Sequence, residues 1–312
     1  MAYRLEPHEP LSEGLRRVAA AELAGARASL EAALRSLPDG ADADRDAPIH
    51  DARKRLKKLR ALVYLVRDDL GRAPAKRLNG RLREAGRALS ALRDAGVMLK
   101  TLAALVAADA APQPPERAQR AVRRALKQHQ RVAFDPVSTR QRLESALAGV
   151  CSVQAEVATW PLADRWEGVG ARLRRGYREG RRAMASAYGE RQGDLTDERF
   201  HTWRKAVKRL WYHLRLLHPL WPPVMGAYAA EAEALGELLG RDNDLAVLLR
   251  FLAADPERFG GEEAVRALVT AGAAQMSALR SAAAPLGKRL YAEPPEAFAR
   301  RLAALYEVMR DG

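Results

Sequence analysis

Two segments of the chain carry their apolar residues on one narrow face of a helix. At about 100° per residue, each segment places an apolar stripe opposite a basic face. The stripes consist of Ala52, Leu56, Leu59, Val63, Val66 and Leu70 in the first segment and of Trp203, Val207, Leu210, Leu214, Leu217 and Trp221 in the second. Both segments are therefore predicted to be amphipathic helices that bury one side.

Proline and glycine clusters divide the rest of the chain into further helices. Breaks fall at 37–40, 111–115 and 135–136, and Pro is unfavourable inside a helix. Ala and Leu are abundant, and the long Val, Ile and Thr runs of strands are missing. We therefore predict an all-α fold. The first helix ends near residue 37, and the others span 49–70, 75–106, 116–131, 138–158, 160–188, 198–218, 225–253, 262–284 and 295–310.

The two amphipathic segments are also copies of each other. Residues 50–71 align with 201–222 at an offset of 151, which matches His50 with His201. A second pair, 88–102 and 237–252, matches Asp94 with Asp244. A weaker match joins 15–17 with 173–175. This repeat predicts two halves, 8–158 and 159–310, each a four-helix unit, arranged about an approximate two-fold axis.

The formal net charge of +14 is concentrated in three segments. Segment 50–60 has six basic residues and one acidic residue, segment 165–182 has seven and two, and segment 201–215 has five and none. Each segment therefore has a net charge of +5, and the remainder of the chain nets −1. A local excess of charge focuses the electrostatic potential as a binding site requires. We expect a polyanionic partner, which could be nucleic acid, an acidic membrane surface or a polyphosphate.

The basic positions that lie opposite the apolar stripes are the candidate binding residues. Like charges at i,i+4 repel by about 0.2–0.5 kcal/mol per pair, and acidic residues that would relieve this repulsion are nearly absent from these faces. An external anion would offset the repulsion, which favours a binding face over a merely solvated one. The candidates are His50, Arg53, Lys54, Lys57 and Arg60; His201, Arg204, Lys205, Lys208 and Arg215; Arg175, Arg178 and Arg182; and, from the weaker match, Arg16 and Arg17.

Little in the sequence indicates catalysis or a metal site. His50-Asp51 superficially resembles a metal phosphohydrolase pair, but the second copy has Thr202 in place of the acid, and no HExxH motif or Cys-rich spacing occurs. Asp94 and Asp244 are expected to pair with Arg side chains in a structural role. Cys151 is expected to be a buried, inert thiol. We expect a protein that is not an enzyme and that needs no cofactor.

The repeated pattern His-x-x-Arg-Lys-x-x-Lys-Arg/Lys-Leu, followed in the second half by Leu-Gly-x-x-Asn-Asp-Leu at 239–245, resembles the CHAD family, the conserved histidine α-helical domain. The resemblance covers residues 8–310. It implies two four-helix bundles with a basic central groove that binds inorganic polyphosphate, and relatives that are found on polyphosphate granules. The implied groove residues are His50, Arg53, Lys54, Lys57, His201, Arg204, Lys205 and Lys208. The first half departs from the pattern at Ala91 and Arg93. No Glu-x-Glu-x-Lys strand occurs, so the chain looks like the stand-alone form.

Several functions remain open from the sequence. Binding of inorganic polyphosphate without chemistry comes first, because the basic faces contain few aromatic residues. Nucleic-acid binding comes second. Single-strand binders interleave aromatic and basic residues, and helix-turn-helix readers need a short turn before the recognition helix. Neither pattern is clear in this sequence. A polyphosphate-processing enzyme or a granule scaffold are further alternatives. No run of about 18 apolar residues and no signal peptide is visible, so we expect a soluble cytoplasmic protein without a membrane span.

Overall fold

The computed structural model covers residues 3–37, 42–108, 113–133, 135–189 and 196–311. These residues form twelve α-helices and two short 3₁₀ helices, and no strand occurs among them. The all-α prediction is confirmed. The α-helices are α1 (Leu11–Arg35), α2 (Asp42–Leu65), α3 (Arg67–Leu70), α4 (Arg72–Ala88), α5 (Ser90–Ala107), α6 (Glu116–Ala133), α7 (Pro136–Val157), α8 (Trp166–Ala187), α9 (Thr196–Leu216), α10 (Pro222–Ala253), α11 (Glu262–Leu290) and α12 (Pro295–Asp311).

Some predicted boundaries were wrong. The helix predicted over 75–106 is interrupted at Leu89, and the helix predicted over 49–70 begins at Asp42 and is interrupted at Val66. Pro48 lies in the second turn of α2, where it removes only one intrahelical hydrogen bond and does not end the helix. Trp160 was predicted to open a helix, but α8 begins only at Trp166, and the Trp160 side chain is buried in the core.

A large apolar core holds most of the helices together. It combines α1, α2, α4 and α7 with α8, α9, the first half of α10 and α12. Its largest fully buried side chains include Trp203 of α9 and Tyr177 of α8, whose ring stacks on Phe298 of α12 at 4.2 Å between centroids. The apolar stripes of the two repeated basic segments thus lie in one common core, except for Trp221. The prediction was wrong at Trp221, which directly precedes α10 and is 51% exposed.

A second, smaller core lies at the far end of α10 and α11. It contains Leu102 of α5, Val122 of α6, Leu248 of α10 and Leu268 of α11. Helices α5 and α6 belong by sequence to the predicted half 8–158, yet they pack on α10 and α11 of the half 159–310. The two halves and their pseudo-symmetric four-helix bundles therefore stay a prediction. No helix in the described ranges is both long enough and apolar enough to span a lipid bilayer.

The junction between α2, α8 and α9 is built around one aromatic ring. The guanidinium carbons of Arg172 and Arg209 lie 4.1 and 4.0 Å from the ring centroid of Tyr64. The Tyr64 hydroxyl donates to Glu179 at 3.1 Å, and Arg209 Nη2 donates to the same carboxylate at 2.6 Å. A Cβ at Gly176 would lie 3.3 Å from the Tyr64 ring, so glycine permits this close approach of α8. Cation–π contacts and an ion pair therefore join helices of both repeats.

Candidate functional site

The basic face of α9 lies directly against α10. Lys208 crosses α10 at Gly236, where an added Cβ would lie 3.0 Å from Lys208 Cε. One turn away along each helix, Arg204 crosses α10 at Gly240, where an added Cβ would lie 3.9 Å from Arg204 Nε. The two cationic side chains thus lie along α10, half-buried and next to each other, and Gly236 provides the room that Lys208 needs.

These two cations have no carboxylate partner. No Asp or Glu of the described chain lies within ion-pair distance of Arg204 or Lys208, and the buried Arg204 Nε has no hydrogen-bond partner there. Burial lowers the pKa of Lys208, and Arg204 lowers it further, while the more distant Glu233 and Glu237 only partly oppose this. The pair is therefore a partly desolvated, uncompensated positive site of the kind that binds an anion tightly.

The remaining candidates of α9 surround this pair. His201 Nδ1 donates to Asn243 Oδ1 of α10 at 2.5 Å, and burial together with Lys205 lowers the His201 pKa. Lys205 is exposed, 3.9 Å from Glu198. Arg215 and Lys208 lie 5.0 and 4.5 Å from the ring centroid of Trp211. A neutral His201 thus ties α9 to α10, and the other side chains extend the positive surface around Trp211.

The first copy forms a related surface on α2 and α4. Arg53 Nη1 donates to Ser90 Oγ at 2.6 Å and to the Gly86 carbonyl at 3.2 Å. Arg60 Nε donates to Asn79 Oδ1 of α4 at 2.9 Å. Arg53 is thereby held where α4 meets α5, and Arg60 is held against α4.

Other first-copy candidates differ in exposure. Lys57 is exposed, His50 is half-buried, and Lys54 Nζ lies 3.6 Å from Asp51 Oδ1. The charge of Lys54 is thus partly balanced by Asp51.

Sequence reasoning missed two cations of this surface. Burial lowers the pKa of Arg60, and the neighbouring Arg83 and Arg87 of α4 lower it further, so the three guanidinium groups form one positive cluster. A signal was available, because residues 72–88 contain six basic residues and one acidic residue. The α2–α4 surface is therefore more basic than the repeat alone indicated.

The candidates on α8 are partly engaged in ion pairs. Arg175 Nε lies 3.1 Å from Glu179 Oε1, and Arg178 Nη2 lies 2.5 Å from Glu296 Oε1. Arg182 is exposed. The buried Arg172, which the sequence did not single out, donates to the Tyr64 carbonyl at 3.0 Å. The arginines of α8 thus serve the junction with α2 and α9 as well as the surface.

Arg16 and Arg17 lie apart from these surfaces. Arg16 donates from Nε and Nη2 to the Trp160 carbonyl at 3.1 and 3.0 Å and so holds the segment before α8. Arg17 makes two hydrogen bonds to Glu9, at 2.9 and 2.7 Å. Because both guanidinium groups hold the chain's own backbone or carboxylates, we leave Arg16 and Arg17 out of the candidate site.

The structural Asp–Arg pair lies one position away from a predicted residue. Asp242, which is buried, holds Arg280 of α11 with an Oδ1–Nε distance of 2.7 Å. The described contact of Asp244 is with Asn243 Nδ2 at 3.3 Å, so its predicted pairing with an Arg was wrong in position. The side chain of Asp94 lies outside the described residues. Cys151 is half-buried in α7, less buried than predicted.

The structure thus brings the predicted residues of the two repeat helices together in two groups, on α2–α4 and on α9–α10, and the α8 candidates lie outside both. That the two groups line one central groove stays a prediction. Within the described ranges, no three His, Cys, Asp or Glu side chains converge as metal ligands would.

Comparisons with known proteins agree with this architecture. The CHAD domain family matches residues 24–253. No curated protein matches the sequence. The fold is similar to the crystal structure of the CHAD domain from the plant Ricinus communis, with a TM-score of 0.63, 22% identity, and coverage of 91% of this chain and 94% of that chain. At this identity the structural similarity concerns the fold alone, whereas the family match spans well over half of the sequence. The chain therefore belongs to the CHAD domain family.

Proposed function

We propose that the protein binds inorganic polyphosphate on the α9–α10 and α2–α4 surfaces. The observation that carries this proposal is the Arg204–Lys208 pair, which is half-buried beside Gly236 and Gly240 and has no carboxylate partner in the described chain. Arg donates to phosphate oxygens through a planar fork, and Lys adds a mobile point charge. A phosphate chain would satisfy the buried Arg204 Nε and relieve the repulsion between the two cations.

The aromatic residues favour polyphosphate over single-stranded nucleic acid. Base stacking requires exposed ring faces beside the basic groove. The Tyr64 ring is covered by Arg172 and Arg209, and Trp211 is in contact with Lys208 and Arg215. Since cations of the protein already lie against these two rings, Tyr64 and Trp211 are poorly placed to stack with bases.

We further propose that this binding involves no chemistry and that the protein associates with polyphosphate granules. The described α9–α10 surface consists mainly of cationic donors, and the candidate His201 is hydrogen-bonded to Asn243. Such a site can hold phosphate oxygens but offers no activated nucleophile beside a base. Granule association follows if the long chains of a granule are the physiological ligand.

The test is competitive binding with a matched charge control. Labelled long-chain polyphosphate is titrated with the wild type, with Arg204→Gln/Lys208→Gln and with Arg142→Gln/Arg300→Gln, which removes two exposed charges elsewhere. Since charge-assisted contacts are worth about 1.5–3 kcal/mol each, we expect the first variant to bind at least about tenfold more weakly and the control to change little.

Two results would contradict the proposal. One is equal weakening in both variants, which would indicate a net-charge effect. The other is displacement of polyphosphate by single-stranded RNA at equal phosphate concentration. A third result concerns the proposal that binding involves no chemistry. Release of inorganic phosphate by the wild type but not by the Arg204→Gln/Lys208→Gln variant would contradict it and indicate an enzyme.

A further inference from the structure

Helix α6 carries another basic face of the protein, which the candidate site does not include. Residues 116–133 contain six basic residues and one acidic residue, as high a net charge as any of the three segments identified from the sequence. At 100° per residue the six cations fall within an arc of about 120°. All six are exposed: Arg117, Arg120, Arg123, Arg124, Lys127 and Arg131.

The opposite face of α6 is used for packing. Val122 and Leu126 are fully buried in the smaller core, and His129 packs on Phe251 of α10 at 4.8 Å between ring centroids. This packing fixes the basic face toward solvent. It also leaves the apolar face of α6 unavailable for insertion into a bilayer, which amphipathic membrane helices require.

Most of this positive charge is uncompensated. Arg117 pairs with Glu263 at 2.7 Å and Arg120 with Glu116 at 2.9 Å, both in exposed positions where ion pairs contribute little. Among the described residues, no carboxylate pairs with Arg123, Arg124, Lys127 or Arg131. The cations succeed one another at i,i+3 and i,i+4 spacings, so they repel along the helix. An external polyanion would remove this repulsion.

This face is separated from the Arg204–Lys208 pair along α10. Phe251, which contacts α6, lies about 16 Å from Gly240 at 1.5 Å per residue. A chain of a few phosphates is too short to contact both places, whereas a long chain can contact both. A flexible phosphate chain also suits a convex basic helix, because it needs neither a flat surface nor a stacking platform.

We propose that the outer face of α6 binds a second stretch of the same polyphosphate chain, so that the protein prefers long chains over short ones. This inference rests on the proposed function. The second contact raises the effective concentration of phosphate groups near α6 once the chain is bound at Arg204 and Lys208.

The experiment uses two triple variants of the full chain that differ only in where three charges are removed. Arg124→Gln/Lys127→Gln/Arg131→Gln removes them from α6, and Arg142→Gln/Lys288→Gln/Arg300→Gln removes them from exposed positions on α7, α11 and α12. Gln retains helix propensity, and circular dichroism checks the fold. Binding of long-chain and short-chain polyphosphate is measured at several salt concentrations.

We expect the α6 variant to bind long chains about tenfold more weakly than the control triple and short chains equally well. Loss of three phosphate contacts also makes the slope of log Kd against log salt concentration shallower by about 2 for long chains. Equal affinities of the two triples for long chains would overturn the inference. An equal loss for short chains would overturn it too, because α6 would then belong to the first site.

Two further measurements separate this inference from the proposed function. The Arg204→Gln/Lys208→Gln variant tests the first site. If this variant binds polyphosphate as tightly as the wild type while the α6 triple variant binds more weakly, the result would contradict the proposed site and support binding at α6. If the wild type binds no polyphosphate, both proposals fail. If the α6 triple variant loses more affinity for single-stranded RNA or for vesicles of anionic lipid than for polyphosphate, the face belongs to that partner and the inference is overturned.

Discussion

At the scale of single residues, burial decides which polar groups serve the fold and which are left for a ligand. His213 of α9 is fully buried, and its Nε2 donates to the Ala61 carbonyl of α2 at 3.0 Å. Burial lowers the pKa of His213 to about 3. The imidazole therefore stays neutral where α2 and α9 meet, although it lies among the arginines of a strongly basic protein.

We predict that His213 makes the protein acid-sensitive. The folded-state pKa lies below the unfolded value of 6.5, so the unfolded state binds more protons between these values and stability falls as the pH drops below 6.5. Between pH 6.5 and 5 the wild type should lose about 2 kcal/mol more than His213→Gln, which can keep the hydrogen bond to Ala61. Urea unfolding at both pH values measures this, and parallel losses in the two proteins would refute it.

The same scale shows what the sequence could not predict. Arg16, Arg53 and Arg204 look alike in sequence, and each lies in a helix with a basic face. Arg16 nevertheless binds the Trp160 carbonyl, because the segment before α8 folds back onto α1. Arg204 packs against α10, and its buried Nε has no hydrogen-bond partner in the described chain. The fate of each guanidinium depends on contacts between residues far apart in sequence, which helical periodicity does not reveal.

At the scale of helices, the contact of α9 with α10 depends on two glycines with different tasks. Gly236 lies under Lys208 with 3.0 Å to the place of a Cβ, whereas Gly240 leaves 3.9 Å to Arg204. Neither glycine has a positive φ, so alanine fits the backbone at both positions. The two glycines thus differ in how much room they leave for the neighbouring cation: a methyl group would crowd Lys208 at position 236 but not Arg204 at position 240.

We predict that Gly236→Ala weakens polyphosphate binding, because its methyl group displaces Lys208, and that Gly240→Ala does not. Both substitutions should change stability by no more than about 1 kcal/mol, since alanine favours the helix. Affinity and thermal unfolding of the two variants are compared side by side. Equal affinities would show that the position of Lys208 on α10 is unimportant for binding.

Helix identity could be read from the sequence far better than helix partnership. The ends of α6, predicted as 116–131 and found at Glu116–Ala133, follow from proline breaks and apolar spacing. Its packing on α10 and α11 could not be predicted, because a repeat of about half the chain suggests that each half closes on itself. The charge count that identified three basic segments also missed α6. Acidic residues elsewhere balance the positive charge of α6, so the chain outside the three segments has a net charge of only −1.

At the scale of the whole molecule, two cores share α10 and α11. These helices begin in one core and end in the other, so they couple the smaller core to the larger one mechanically without merging their apolar residues. Cooperative units of this kind open at different free energies. If α6 binds long polyphosphate chains, the smaller core is also the part of the fold that presents the second contact.

We therefore predict that the smaller core opens separately. Phe259 is fully buried there, 5.3 Å from Phe251 between ring centroids, and Phe259→Ala should destabilise this core by about 3–5 kcal/mol. Amide hydrogen exchange should then accelerate in α5, α6 and the adjoining halves of α10 and α11 only. The matched variant Phe298→Ala, in the larger core, should accelerate exchange in α8, α9 and α12 instead. Uniform acceleration of exchange by Phe259→Ala would show that the two cores unfold as one unit. Opening of the smaller core around α6 would then also disrupt the Arg204–Lys208 site.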